Sequence, residues 1–181
     1  ISSVAVALKE ANTNEFKMYI TNAKLNANIV GEELKKLGYK LSTNGTDNHL
    51  LLIDVSKLGL TGRQAEKSIR DVGITINRNS LPFDTNGAWY TSGLRIGTPA
   101  ITTLGMGTSE MKEIANVFGK VLLNTNPDTI KTGKSAGALS KANYTISKSV
   151  ISEASDIVTN LLNNFPVYPE LDIEFMQRVF S

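Results

Sequence analysis

The chain has 181 residues, a formal net charge of +2, 41% hydrophobic and 20% charged residues, a single histidine and no cysteine. That is an ordinary globular composition, long enough for one domain with a core that folds alone. It excludes disulfides and thiolate metal sites, and it offers no basic stripe interleaved with aromatics and no apolar run of membrane-spanning length, so neither nucleic acid nor membrane is an expected partner.

Ile1, Val4, Ala5, Leu8 and Ala11 recur at helical spacing and predict the tail end of a buried helix whose start lies upstream. A chain that opens inside such a pattern is expected to be a piece of a longer protein. Asn12-Thr13-Asn14-Glu15 is a break with capping chemistry. A second helix follows, with Phe16, Tyr19, Ala23, Ala27, Val30, Leu34 and Leu37 inward and Gly38 as its stop. Lys17, Lys24, Glu32 and Lys35 mark its solvated face.

Tyr39 to Leu41 reads as a short strand, Asn44-Gly45 as a hairpin-type turn, and Leu50 to Val55 as a central strand. His49 has no second histidine or cysteine with which to share a metal, so it reads as a turn histidine rather than a ligand or base. Thr61-Gly62-Arg63-Gln64 is a capping box opening a helix to about Val72, ended by Gly73, with Ala65, Ile69 and Val72 inward. Gly73 to Asn77 is predicted as the next strand, and Arg78 to Tyr90 as a loop long enough to be functional. Trp89 and Tyr90 read as core or loop-packing aromatics.

Leu94 and Ile96 around Arg95 alternate as a half-buried strand does, with Gly93 and Gly97 bracketing them. Thr98-Pro99 then predicts a hydroxyl N-cap with proline at the first helical position. A strand arginine held this way presents a rigid fork of donors that matches a carboxylate. Most strand arginines are instead solvated or in a weak ion pair, and spacing alone leaves both readings open. A helix from Thr108 is predicted with Met111, Ile114, Ala115, Phe118, Val121 and Leu122 inward. Asn124 to Asn143 reads as a mobile polar surface loop with some local helix, whose Lys131, Lys134 and Lys141 are solvated charge. A last helix takes in Ile146, Val150, Ala154, Ile157, Leu161 and Leu162, ended by Pro166 and Pro169. A tail or short docking helix around Phe175, Met176 and Val179 completes the chain.

Four blocks stand out together: Gly45-Thr46-Asp47-Asn48-His49-Leu50, Leu60-Thr61-Gly62, Gly73-Ile74-Thr75-Ile76-Asn77-Arg78-Asn79-Ser80-Leu81-Pro82, and Thr91-Ser92-Gly93-Leu94-Arg95-Ile96-Gly97-Thr98-Pro99-Ala100. Their wording, order and separation resemble the C-terminal part of serine hydroxymethyltransferase, from about Ile1 to Met106, with the likeness fading through the last third. The resemblance implies that Arg95 grips the carboxylate of the serine or glycine substrate and that Asn79 contacts the pterin of folate. The chain departs from the bacterial pattern at Thr85-Asn86-Gly87-Ala88-Trp89-Tyr90, where a serine- or proline-rich tract is common.

The resemblance further implies an α+β fold: the small-domain sandwich of a fold-type-I pyridoxal-phosphate enzyme, a mainly antiparallel sheet with helices on one face, preceded by long interdomain helices. Residues 1–37 are then connecting helices, 38–165 the small domain and 166–181 a tail. The parent enzyme would be a cytoplasmic homodimer of one-carbon metabolism that interconverts serine plus tetrahydrofolate with glycine plus 5,10-methylenetetrahydrofolate. Its pyridoxal 5'-phosphate is held by a lysine in a T-T-T-H-K setting that this chain lacks. No catalytic residue and no metal ligand is therefore expected here, and without the N-terminal large domain the chain is expected neither to hold the cofactor nor to catalyse. The alternative is a non-catalytic stand-alone small-ligand or interaction module of this fold.

Overall fold

The computed structural model describes residues 1–171 and 173–180. Helix α1 (Ser2–Ala11) is followed by the long α2 (Asn14–Lys36), whose N-cap Thr13 accepts from the Phe16 N–H at 3.2 Å. At the other end Gly38 takes φ +86°, and the Gly38 and Tyr39 N–H groups donate to the Lys35 and Leu34 carbonyls. That pair of bonds is a Schellman stop, which needs a residue tolerating left-handed backbone. The expected inward stripe holds for Ala23, Ala27, Val30 and Leu34, whereas Phe16 and Tyr19 are half-buried and Leu37 is exposed.

Strands β1 (Lys40–Leu41), β2 (Leu50–Asp54), β3 (Asn77–Asn79) and β4 (Gly93–Gly97) form one antiparallel sheet in the order β1-β2-β4-β3. Leu51 and Ile53 of β2 and Leu94 and Ile96 of β4 point to one face, which α2, α3 (Gly62–Arg70) and α6 (Thr108–Leu123) cover. Leu50, Leu52 and Arg95 point to the other, and no helix buries them. Helices α4 (Gly87–Tyr90) and α5 (Pro99–Thr103) flank β4. A hairpin of β5 (Asn126–Thr129) and β6 (Leu139–Thr145), then α7 (Lys148–Asn164) and α8 (Ile173–Phe180), complete the chain. Mixed helices with small antiparallel sheets make this an α+β fold.

Capping fixes the helix starts near the site. The Thr61–Gln64 box closes in both directions, and Thr61 Oγ1 also donates to the Lys141 carbonyl at 2.8 Å. At α6 the Glu110 carboxylate accepts from the Gly107 N–H and the Ser109 hydroxyl, both at 2.7 Å. Those two bonds, the hydroxyl's first, hold it below the usual carboxylate range.

Several expectations shift. Helix α1 buries no residue; Val4, Val6 and Leu8 are exposed, so its apolar stripe faces solvent rather than a core. The strand expected at Gly73–Asn77 begins only at Asn77, because Gly73 (φ +88°) and Ile74 still close the end of α3 and Ile76 goes into the core. The loop expected over 78–90 gives up Arg78 and Asn79 to β3 and contains α4. Thr98 makes no side-chain cap; its hydroxyl donates to the Ala23 carbonyl of α2 at 2.7 Å. Of the two readings of Trp89, core and loop packing, the core one fails: the residue is exposed and lies under the guanidinium groups of Arg63 (4.7 Å) and Arg78 (5.6 Å). The polar stretch expected as a loop at 124–143 is the β5–β6 hairpin. It is held by polar bonds rather than apolar burial: the Gln64 side chain donates to the Ser140 and Asn143 carbonyls at 2.6 and 2.8 Å. In α7, Ala154, Val158 and Leu161 are buried while Leu162 is exposed. Phe175, Met176 and Val179 of α8 are exposed; the expected tail also includes Asp172 and Ser181, which lie outside the described residues.

Candidate functional site

The open face of the sheet gathers polar groups around one cation. In antiparallel pairing, directly opposed residues share a face. Arg95 stands between Leu52 of β2 and Asn77 of β3, and Asn79 is opposed to Gly93 one step along. The neighbours of Arg95 two residues away on its own strand are Gly93 and Gly97, so no side chain of β4 stands beside the guanidinium. Arg95 is exposed, and among the described residues it pairs with no carboxylate. Among the described residues its side chain makes one hydrogen bond, a long one, Nη2 to Asn77 Oδ1 at 3.4 Å.

The turn that follows its strand is anchored to His49 and to α2. Thr98 N–H donates to the His49 carbonyl at 3.2 Å, and Tyr19 and Asn26 of α2 reach the Pro99 carbonyl and the Thr102 hydroxyl at 3.2 and 2.9 Å. The fork of donors rises from a strand paired on both sides, and its tip makes only the long bond to Asn77, with no carboxylate among the described residues holding it; a planar fork presented this way is suited to bidentate contact with a carboxylate. His49 itself is an exposed turn residue. Among the described residues no three histidine, aspartate or glutamate side chains converge on a metal position. Helix α5 has only five residues and its first N–H groups are not aimed by a side-chain cap, so the guanidinium is the principal positive feature here.

Arg95 borders two concavities. One, of about 640 Å³, lies on the open face between the 43–48 loop, Leu52, Asn79 and Arg95. It thus brings together both residues singled out in the sequence. Its loop wall is preformed: Thr46 Oγ1 donates to the Leu50 carbonyl at 2.6 Å, and Asn48 Oδ1 accepts from the Leu50 N–H at 2.7 Å. The other, of about 560 Å³, is apolar and reaches under the sheet edge past Ile96 to Ile101, Ile114 and Phe118. The polar groove is the one that Arg95 and Asn79 share. No lysine lines either concavity.

Two features of the site escaped the sequence. Asn77 joins Arg95 only once β3 is in register. Asp84 ties the loop between Asn79 and Arg95 through four hydrogen bonds: from the Leu81, Asn86 and Ser92 N–H groups at 3.1, 2.9 and 2.7 Å and from the Ser92 hydroxyl at 2.7 Å. Partial burial acts to raise its carboxyl, but these bonds outweigh it and hold the group below the usual range. Asp84 lying two residues before Asn86 was the available signal, an Asx-type turn.

The family model described as serine hydroxymethyltransferase matches residues 1–118. The chain is 49% identical over 181 residues to serine hydroxymethyltransferase of Treponema pallidum (strain Nichols), covering 100% of this chain and 31% of that protein. It is 47% identical over 174 residues to the Chlamydia muridarum (strain MoPn / Nigg) enzyme of the same name, covering 96% of this chain and 34% of that protein. For the Cutibacterium acnes (strain DSM 16379 / KPA171202) relative of that name the identity is 48% over 174 residues, with 96% and 35% covered. The chain spans about a third of the length of these curated relatives. No helix among the described residues is long and apolar enough to cross a membrane.

Proposed function

The chain belongs to the serine hydroxymethyltransferase family, and on that premise we propose that it is the C-terminal portion of an enzyme converting serine and tetrahydrofolate into glycine, 5,10-methylenetetrahydrofolate and water. Within it, Arg95 holds the carboxylate of the amino acid substrate and Asn79 meets the pterin of folate. The observation that carries this reading is the Arg95 guanidinium: carried on a strand paired on both sides, exposed, without a carboxylate partner among the described residues, and facing the groove that also receives Asn79. A clamp at that point fixes the orientation of the amino acid's Cα bonds. Its contribution is binding and alignment, not proton transfer.

Residues 38–165 act as the small domain of a fold-type-I enzyme, 1–37 connect it to a large domain and 166–181 form a tail. The exposed apolar residues of α1 are consistent with a helix that meets further protein. Pyridoxal 5'-phosphate supplies the electron sink of the family's chemistry. The resemblance puts the lysine that holds it in a T-T-T-H-K setting, which this sequence does not contain. The isolated chain is accordingly expected to leave the absorbance of added pyridoxal phosphate unchanged; a new band would contradict that. The complete enzyme acts as a cytoplasmic homodimer.

The test is a graft. This chain replaces the matching third of the Treponema pallidum relative, and serine cleavage is measured with tetrahydrofolate present. The graft is expected to be active, and Arg95→Ala to raise the KM for serine by about 10–100-fold while the enzyme stays folded. A folded Arg95→Ala graft that saturates with serine normally overturns the assignment.

A further inference from the structure

We propose that Asp84 is a positioning residue for the ligand-binding face, its carboxylate lacing together the ends of the two strands that present Asn79 and Arg95. This role rests on the function proposed above for those two residues. Asn79 ends β3, and the chain continues through Ser80 to Leu81, whose N–H donates to Asp84 Oδ2 at 3.1 Å. Gly93 begins β4, and the preceding Ser92 gives both its N–H, at 2.7 Å to Oδ2, and its hydroxyl, at 2.7 Å to Oδ1. The Asn86 N–H at 2.9 Å completes the set on Oδ1. Each carboxylate oxygen thus takes two donors, and the donors come from both strand ends and from the loop between them.

The junction is packed as closely as it is bonded. A Cβ on Gly93 would lie 2.7 Å from Leu81 Cδ2 and 2.8 Å from the Asn79 carbonyl. Leu81, in the segment that Asp84 holds, therefore presses directly on β4 where β3 passes closest. The Ser92 carbonyl accepts from the Val55 N–H at 3.0 Å, carrying the tie through to β2's end. Two non-glycine residues of this loop, Phe83 (φ +60°) and Thr91 (φ +54°), sit in left-handed backbone. Phe83 is fully exposed, so no burial of its ring offsets that strain. Strain of this kind persists only where surrounding bonds over-determine the conformation, and Asp84 lies next to it in the chain.

An amide is not equivalent here. In either orientation, the NH2 group of an asparagine at this position faces at least one backbone N–H donor. Asp84→Asn is expected to speed amide exchange at residues 79–81 and 92–95 about tenfold or more in the isolated chain, with exchange in α6 unchanged. In the active graft, the same variant is expected to raise the KM values for serine and tetrahydrofolate together, each by about tenfold, with a smaller change in kcat. Ser92→Ala removes one of the four bonds and gives the same pattern at reduced size, should Asp84→Asn fail to fold. Faster exchange with both KM values unchanged makes Asp84 merely structural and overturns the proposal, as does unchanged exchange. An inactive wild-type graft would instead defeat the functional reading, and the exchange measurement would still decide whether Asp84 laces the strands.

Discussion

Under the function proposed above, Arg95 and Asp84 divide the work of the site: one offers charge to a ligand, while the other spends its charge on four hydrogen bonds within the loop. Their pH behaviour follows from that division. The folded Asp84 carboxyl lies below its unfolded value, so its bonds contribute fully above the unfolded pKa of about 3.9 and are lost as the pH falls through the lower, folded value. Trp89 lies within the tied loop and is the chain's single tryptophan. Its fluorescence is expected to stay level from neutral pH down to about pH 4 and to change below that, and Asp84→Asn should abolish the acid-dependent step. Tyr39 behaves oppositely. Burial pushes its phenol up to about 12, and its hydroxyl has no hydrogen-bond partner among the described residues. Its folded pKa exceeds the unfolded one, so stability is complete below about pH 10 and declines as the pH rises from there toward the folded value. Tyr39→Phe removes an unsatisfied polar group and is expected to be neutral or to stabilise by up to about 1 kcal/mol in urea unfolding.

At the scale of elements, the site depends on where α3 begins and on how closely β3 and β4 approach. A Cβ at Gly62 would lie 2.2 Å from Thr91 Oγ1 and 2.6 Å from the Gly93 carbonyl, a clash with backbone that no side-chain rotation relieves. Gly62→Ala is expected to cost about 1–3 kcal/mol in denaturant unfolding, with the greatest loss of amide protection at Gly93. Thr61→Ala removes a cap and a bond to the β6 backbone, and is expected to cost about 1–2 kcal/mol. Helices were legible in the sequence where apolar spacing and caps agreed, as in α2, α3 and α6. The β5–β6 hairpin was not, because Leu139 to Thr145 alternates no strong apolar face and is held by hydrogen bonds from Thr61 and Gln64, about eighty positions earlier in the chain. β3 began late for a related reason: Ile74 and Ile76 looked like strand residues, but the ladder partner of Arg95 is Asn77. Arg95 was legible as a strand residue beside two glycines. That its guanidinium stays free of carboxylates depends on residues far apart in sequence, which spacing alone does not fix.

For the molecule as a whole, stability is concentrated in the layer between the sheet and α2, α3 and α6, with α1 outside it. An isolated helix of this length is marginal in water. Removing residues 1–12 is therefore expected to change the unfolding free energy by less than about 0.5 kcal/mol, and α1 amides should exchange almost as fast as an unstructured peptide. The sheet leaves one face open, and that face carries Arg95. On the proposed function, what this region would bring to the reaction is orientation of the amino acid substrate through Arg95. The most direct measurement is kcat/KM for serine in the graft carrying Arg95→Lys, which keeps the positive charge but loses the planar fork. The expected result is a fall of about 10–100-fold at unchanged thermal stability; a value within twofold of the unaltered graft would show that no bidentate clamp operates at Arg95.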